Sequence, residues 1–295
     1  MIEIFLGLIA MLCWGIADFL QAIAIKKTNS LKIMFFGNII GFFPTFFAFL
    51  YFLSKGYIYI EIKNTLILFF SAFINLVAVY MFMKSFEEGE ISIVTPISSS
   101  YSIITVILAV IFLKETLTLL KIISIILCIL GIMLVSTNLN KLKHIKSVKG
   151  VKQAILAFIG WGFYFFLIGL VSKNLINIGV SKLISAISLF FITGLFTNIF
   201  LITFSYIKTK KNLFHKKLDK KIWLILLINF FLYNLAWISV NYGISIGNLS
   251  IITPISSLYP AITVLLAYFI LREKLVLNQK IGIILTILAI FLISL

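Results

Sequence analysis

Hydrophobic residues in this chain fall in long unbroken runs, each closed by a short polar interval, and strict apolar/polar alternation is absent from them. A membrane-spanning helix needs about 20 apolar residues to cross about 30 Å of hydrocarbon, whereas a membrane β-barrel is written in short alternating segments. The runs therefore predict an all-α integral membrane protein. Ten transmembrane helices are expected, at roughly 4–25, 33–53, 65–84, 91–113, 119–137, 153–172, 183–206, 222–242, 249–271 and 278–295. The first run has no basic leader and no small-residue cleavage site, and it is too long for a signal h-region, so it is read as a retained span.

One run is written twice. "ISIVTPISSSYSIITVILAVIFLKETL" at 91–117 returns 158 positions later as "LSIITPISSLYPAITVLLAYFILREKL" at 249–275, with 16 identities in 27. A weaker echo pairs "CWGIADF" at 13–19 with "GWGFYFF" at 160–166, matching Trp14-Gly15 to Trp161-Gly162 at an offset of 147. A solenoid repeats every 20 to 50 residues, so a period of half the chain is a duplication of something larger. The expected organisation is a first five-helix repeat at 1–140, a basic linker at 141–152 and a second repeat at 153–295. Five is odd, so equivalent helices must cross the bilayer in opposite senses. That is the inverted repeat associated with alternating access.

Composition agrees with the pattern: 62% of residues are hydrophobic and 12% charged, with a mean hydropathy of +1.19. The net charge of +16 changes the picture only in the loops. Its main blocks, "KLKHIKSVKGVK" and "KTKKNLFHKKLDKK", lack the interleaved aromatics of a nucleic acid surface and read as anchors on an anionic membrane face, with lipid as partner. Assigning loops alternately to the two sides places 19 Lys/Arg beside the odd loops and 6 beside the even ones, which puts both termini outside by the positive-inside rule. Cys13 and Cys128 lie inside spans and read as small apolar residues.

Polar positions inside the runs supply the candidate chemistry. At 100° per residue Thr95, Ser98, Ser99, Ser102 and Thr105 share a sector of about 120°, and Thr253, Ser256, Ser257 and Thr263 repeat it, with Pro260 replacing Ser102. Such hydroxyls either let helices approach closely, at about 0.6 to 2 kcal/mol per hydrogen bond, or line a wetted cavity edged by Tyr101 and Tyr259. Pro96 and Pro254 have two readings as well: kinks within spans, or first helical residues capped by Thr95 and Thr253, the favoured reading. Pro260, deep in its span, predicts a kink.

Asp18 is the one carboxylate well inside an apolar run, where a charge costs about 2.5 to 3.5 kcal/mol on insertion scales. It shares a helical face with Trp14 and Gln21. It is read either as a proton or cation coupling site or a contact to a substrate amine, or as a carboxylate reaching the interface near Lys26 and Lys27. The candidate cavity residues are Trp14, Asp18, Asn75, Tyr80, Ser98, Ser99, Tyr101, Ser102, Trp161, Tyr164, Asn234, Trp237, Ser256 and Tyr259, with Asp18 as the candidate for proton coupling. No catalytic residue, metal site or cofactor is expected. "FEEGE" at 86–90 reads as a solvated turn, and Glu115 and Glu273 as caps or ion-pair partners of the connection to the next helix, with Gly89 and Gly247 closing the helices before each repeat.

The pair "GEISIVTPISSSYSIITVILAVIFLKETL" and "GNLSIITPISSLYPAITVLLAYFILREKL", with "WGIADFL" in the first span, resembles the EamA type of the drug/metabolite transporter superfamily over essentially the whole chain. The resemblance implies ten helices in two inverted halves around a central cavity, and secondary transport, often export, of amino acids or other small metabolites across the cell membrane. It also implies cytoplasmic termini, against the charge count, and structural roles for Pro96, Pro254, Glu115 and Glu273. The more usual glycine before the glutamate is Lys114 here and Arg272 in the second copy. A membrane-embedded enzyme would need a base or metal ligands, and the two histidines, His144 and His215, lie in Lys-rich loops without carboxylate neighbours. A lipid or polyprenyl-carrier flippase is the remaining rival. No GxxxxGK[ST] loop occurs to couple ATP directly.

Overall fold

The computed structural model describes residues 2–88, 97–137, 150–209, 217–272 and 274–294. They form helices α1 (Ile2–Lys27), α2 (Ser30–Ser54), α3 (Ile62–Glu88), α4 (Ser102–Phe112), α5 (Leu119–Ser136), α6 (Val151–Asn177), α7 (Lys182–Thr209), α8 (Lys220–Ile246), α9 (Leu249–Ser256), α10 (Tyr259–Leu271) and α11 (Leu277–Ile293). Among the described residues eight helices are long and apolar enough to cross a membrane, α9 and α10 counting together as one, and two shorter apolar helices span Ile97–Phe112 and Leu277–Ile293. No strand occurs among the described residues. Phe47, Ile107, Phe112, Phe231 and Phe269 are exposed around the outside, as suits a lipid-facing surface.

The helices choose partners across the duplication. α1 packs on α8 and α3 on α6, α2 faces α7, and α5 lies against α11, so the most extensive contacts join one half of the chain to the other. Small residues make these approaches possible. A Cβ on Gly15 would sit 2.5 Å from Ile262 Cβ and 2.7 Å from the Tyr259 carbonyl oxygen, and one on Gly162 would sit 2.6 Å from Ile104 Cβ and 3.2 Å from the Tyr101 carbonyl oxygen. In the same two places the Thr263 hydroxyl donates to the Gly15 carbonyl at 3.0 Å and the Thr105 hydroxyl to the Gly162 carbonyl at 3.1 Å. The echoes Trp14-Gly15/Trp161-Gly162, Tyr101/Tyr259 and Thr105/Thr263 are thus two halves of one contact, made twice. Gly131 and Gly282 do similar work between α5 and α11.

The repeated serines lie where the fourth and ninth spans cross. Ser98, Ser99, Ser102, Ser256 and Ser257 are fully buried, and the Ser257 hydroxyl meets that of Ser102 at 3.2 Å. α9 begins at Leu249, with Thr253 inside it donating to the Leu249 carbonyl at 2.8 Å, so the capping reading of Thr253 and Pro254 is overturned: the helix has a proline in its interior. Thr95, Pro96, Gly89, Glu90 and Glu273 lie outside the described residues. Pro260 does more than kink its span. The helix stops at Ser256, turns, and restarts at Tyr259 with Pro260 in its first turn. The other copy turns at Ser100 and Tyr101 without a proline, so the break belongs to the crossing as well as to the imino acid.

Glu115 serves the opposite half rather than the next helix. Its carboxylate accepts from the backbone N–H groups of Leu249 and Ser250, each at 2.9 Å, and from the Ser250 hydroxyl. An anion there satisfies otherwise unpaired N–H groups and the positive end of the α9 dipole. The start of α5 is capped instead by Thr118, whose hydroxyl accepts from Lys121 N at 3.4 Å. Of "FEEGE", read from the sequence as a solvated turn, the first three residues instead end α3 and the last two lie outside the described residues; Glu88 pairs with Lys84 one helical turn back at 3.3 Å and accepts from Gln153 Nε2.

Lys114 and Arg272 hold φ of 54° and 55°. A left-handed residue with a side chain costs about 1 to 2 kcal/mol, and glycine returns about 0.5 to 1 kcal/mol of that through the freedom of the unfolded chain. Lys114→Gly and Arg272→Gly should therefore each stabilise the protein by about 0.5 to 1 kcal/mol, read as a rise in the melting temperature in detergent.

Candidate functional site: a central chamber

Between the halves lies a chamber of about 320 Å³. α1 brings Trp14, Asp18 and Gln21; α2 brings Asn38, Gly41 and Thr45; α3 brings Asn75 and Phe82; α6 brings Trp161, Tyr164 and Phe165; α7 brings Thr193, Thr197 and Asn198; α8 brings Asn229, Tyr233, Asn234, Trp237 and Asn241. Tyr101 and Tyr259, at the two helix breaks, complete the wall. Nine of the fourteen residues singled out in the sequence line it: Trp14, Asp18, Asn75, Tyr101, Trp161, Tyr164, Asn234, Trp237 and Tyr259.

The other five do not. Ser98, Ser99, Ser102 and Ser256 are fully buried at the crossing and do not line the chamber; Ser102 meets Ser257 of the other half, and the Ser256 hydroxyl donates to the Thr253 carbonyl of its own helix at 3.1 Å. Tyr80 packs its ring on Phe204, 4.7 Å between centroids, away from the chamber.

One wall is aromatic. Trp14 meets Trp237 edge-on at 5.1 Å and Tyr259 at 6.3 Å, Phe165 stacks on Tyr101 at 5.0 Å, and Trp161 lies 5.9 Å from Tyr101. Trp161 Nε1 donates to Asn75 Oδ1 at 3.1 Å. The pairs Trp14·Tyr259 and Trp161·Tyr101 repeat the duplication, but the charge does not: Phe165 stands in the second half where Asp18 stands in the first.

Asp18 has a partner that the sequence did not suggest. Tyr233 Oη donates to Asp18 Oδ1 at 2.7 Å and lies 2.8 Å from Gln21 Oε1. A phenol carries one proton, so the second contact is completed either by a proton on Asp18 or by the Gln21 amide turned over. The carboxylate therefore sits inside the bundle, and the reading that took it to the interface beside Lys26 and Lys27 is set aside.

The sequence reading also passed over Asn38, Thr193, Thr197, Asn198 and Asn229. Each is an isolated polar residue in an apolar run, the same signal that flagged Asn75 and Asn234.

Residues 1–137 and 148–295 match the EamA-like transporter family. The chain belongs to the EamA-like transporter family. As a member it is a multi-pass membrane protein of two-repeat architecture within the drug/metabolite transporter superfamily, and the resemblance carried by the repeated motif holds. An uncharacterized protein of Methanocaldococcus jannaschii is 41% identical to this EamA-like chain over 76 residues, 26% of the chain and 56% of the relative. The chain thus spans about half the length of that curated relative. A crystal structure of a protein superposes with a TM-score of 0.67 over 99% of this chain and 97% of the other at 12% identity, a likeness of fold.

Proposed function

We propose that this protein is a secondary active transporter that moves a small amine-bearing metabolite, an amino acid or a related compound, across the cell membrane by alternating access, in the direction of export and with Asp18 as the site of proton coupling. The observation that carries the reading is the chamber itself, a polar pocket in an apolar bundle walled by helices of both halves. Burying amides and a carboxylate among apolar helices is costly unless something polar occupies the space. A rocking motion of one half against the other would expose such a site to each side in turn. Ten crossings in two inverted sets of five fit the packing pairs, because α1 with α8 and α3 with α6 exchange under the duplication while α2 with α7 and α5 with α11 map onto themselves. The flippase reading is less favoured, since the polar side chains gather inside the bundle.

Counterflow in proteoliposomes tests the transport reading: preloaded unlabelled substrate should drive uptake of labelled substrate, and an absence of exchange across a broad metabolite panel would refute it. Cysteine labelling tests the inverted threading. Cys13 and Cys128 are buried and can be replaced, and single cysteines at exposed Lys55 and Lys217 occupy equivalent loops of the two halves. An impermeant maleimide added from one side should modify one and spare the other. The charge count puts Lys217 in the cytoplasm and the family resemblance puts Lys55 there, so the same labelling fixes orientation.

A further inference from the structure

The polar groups of the chamber sort by sign. Among the described residues on its wall Asp18 is the one charged side chain, and no Lys, Arg or His lines it. Several donors that could greet an anion are already engaged. Tyr233 spends its hydroxyl between Asp18 and Gln21, and Trp161 donates its indole N–H to Asn75. Asn38, Asn198, Asn234 and Asn241 each turn their amide nitrogen back to a carbonyl four residues earlier on their own helix, at 2.7, 2.9, 2.7 and 2.8 Å, which uses one of the two N–H groups of each amide. A carbonyl oxygen can face only the NH2 end of an amide, so each Oδ1 is directed elsewhere. Also in the wall, Asn229 Oδ1, an acceptor, and the Thr193 and Thr197 hydroxyls, which can give or accept, are buried with no hydrogen-bond partner among the described residues. A buried polar atom left unpaired is costly, and an acceptor such as Asn229 Oδ1 waits for a donor.

We propose that the chamber binds a small organic amine of net positive charge, its ammonium on Asp18 and its further donor groups on the acceptor oxygens of the wall, in preference to a zwitterionic amino acid or an anion. The inference rests on the transporter reading above and narrows its substrate class. Three features converge on it. A carboxylate attracts an ammonium and repels a second carboxylate. Trp14, Trp237 and Tyr259, packed ring edge to ring face, form an aromatic wall of the kind that holds ammonium groups. An ammonium is donor-only, which suits a wall rich in acceptors and offering no cation to receive a substrate carboxylate.

The test uses the purified full chain in nanodiscs, with intrinsic fluorescence as the readout because Trp14, Trp161 and Trp237 line the chamber. Phenethylamine, phenylalanine, phenylacetate and 2-phenylethanol share a ring and differ in charge; putrescine adds a ringless amine. At least one amine should bind at least tenfold more tightly than phenylalanine or phenylacetate. Asp18→Asn should weaken that amine at least tenfold and 2-phenylethanol less than threefold. Phenylalanine or phenylacetate binding as tightly as the better amine, or no binding of either amine, overturns the inference on the unmodified protein whether or not the variant folds. Counterflow with the same compounds separates the two readings. Phenylalanine exchanged in preference to the amines leaves transport standing and removes the cation preference, while an amine that binds through Asp18 but is never exchanged leaves the binding class and removes transport.

Discussion

Asp18→Asn is expected to reduce proton-driven transport by at least a hundredfold while leaving the folded protein intact. The carboxylate sits within the bundle, 2.7 Å from the Tyr233 hydroxyl, and its amide replacement keeps size and hydrogen-bonding capacity but holds neither a charge nor a transferable proton. Exchange driven by a pH gradient should vanish. The measurement is uptake into proteoliposomes with and without an imposed gradient, and unchanged rates under both conditions would remove the coupling role. Tyr233→Phe supplies a graded companion. It deletes the hydroxyl that bridges Asp18 and Gln21 and leaves the carboxylate in place, so transport should fall about tenfold, in line with the loss of one hydrogen bond to a charged group at about 1.5 kcal/mol. The two variants should combine non-additively, because both act on one contact.

Gly15→Val and Gly162→Val are expected to yield little folded protein. At both sites even a methyl group meets backbone and β-branched side chain inside 3.3 Å, and neither an isoleucine Cβ nor a carbonyl oxygen can swing aside. Forcing extra carbons into a filled contact costs about 1 to 3 kcal/mol, and separating the helices also breaks a threonine-to-carbonyl hydrogen bond worth about 0.6 to 1.7 kcal/mol. Thermal melting in detergent reads the result. Gly194→Ala, where a Cβ meets nothing within 4 Å, should melt at or above the temperature of the unmodified protein. Equal stability of Gly15→Val and the unmodified chain would mean that α1 and α10 do not pack as described. Gly15→Ala should fall between the two, since only one carbon must be accommodated.

The apolar runs by themselves determined the membrane class, the helical composition and the duplication, because lipid permits only backbone that satisfies its own hydrogen bonds and because unbroken hydrophobicity at helical length is written locally. They also marked Trp14, Asp18, Tyr101, Trp161 and Tyr259 as a related set, since polar and aromatic residues inside an apolar run are conspicuous without knowledge of the fold. Only the tertiary structure decided which way each polar face turned. The serines around 98–102 and 256–257 have the same composition as a cavity lining and turned out to be a helix crossing, because small hydroxyls suit close packing as well as they suit water. The partners of Asp18 and Glu115 lie 215 and 134 positions away in sequence, and no periodicity within one helix can reveal a contact made by another. The orientation of the chamber's amides was likewise hidden: an asparagine is donor and acceptor in equal measure on paper, and only the helix carbonyl that takes an N–H of Asn38 or Asn234 decides which end of the amide turns to the backbone.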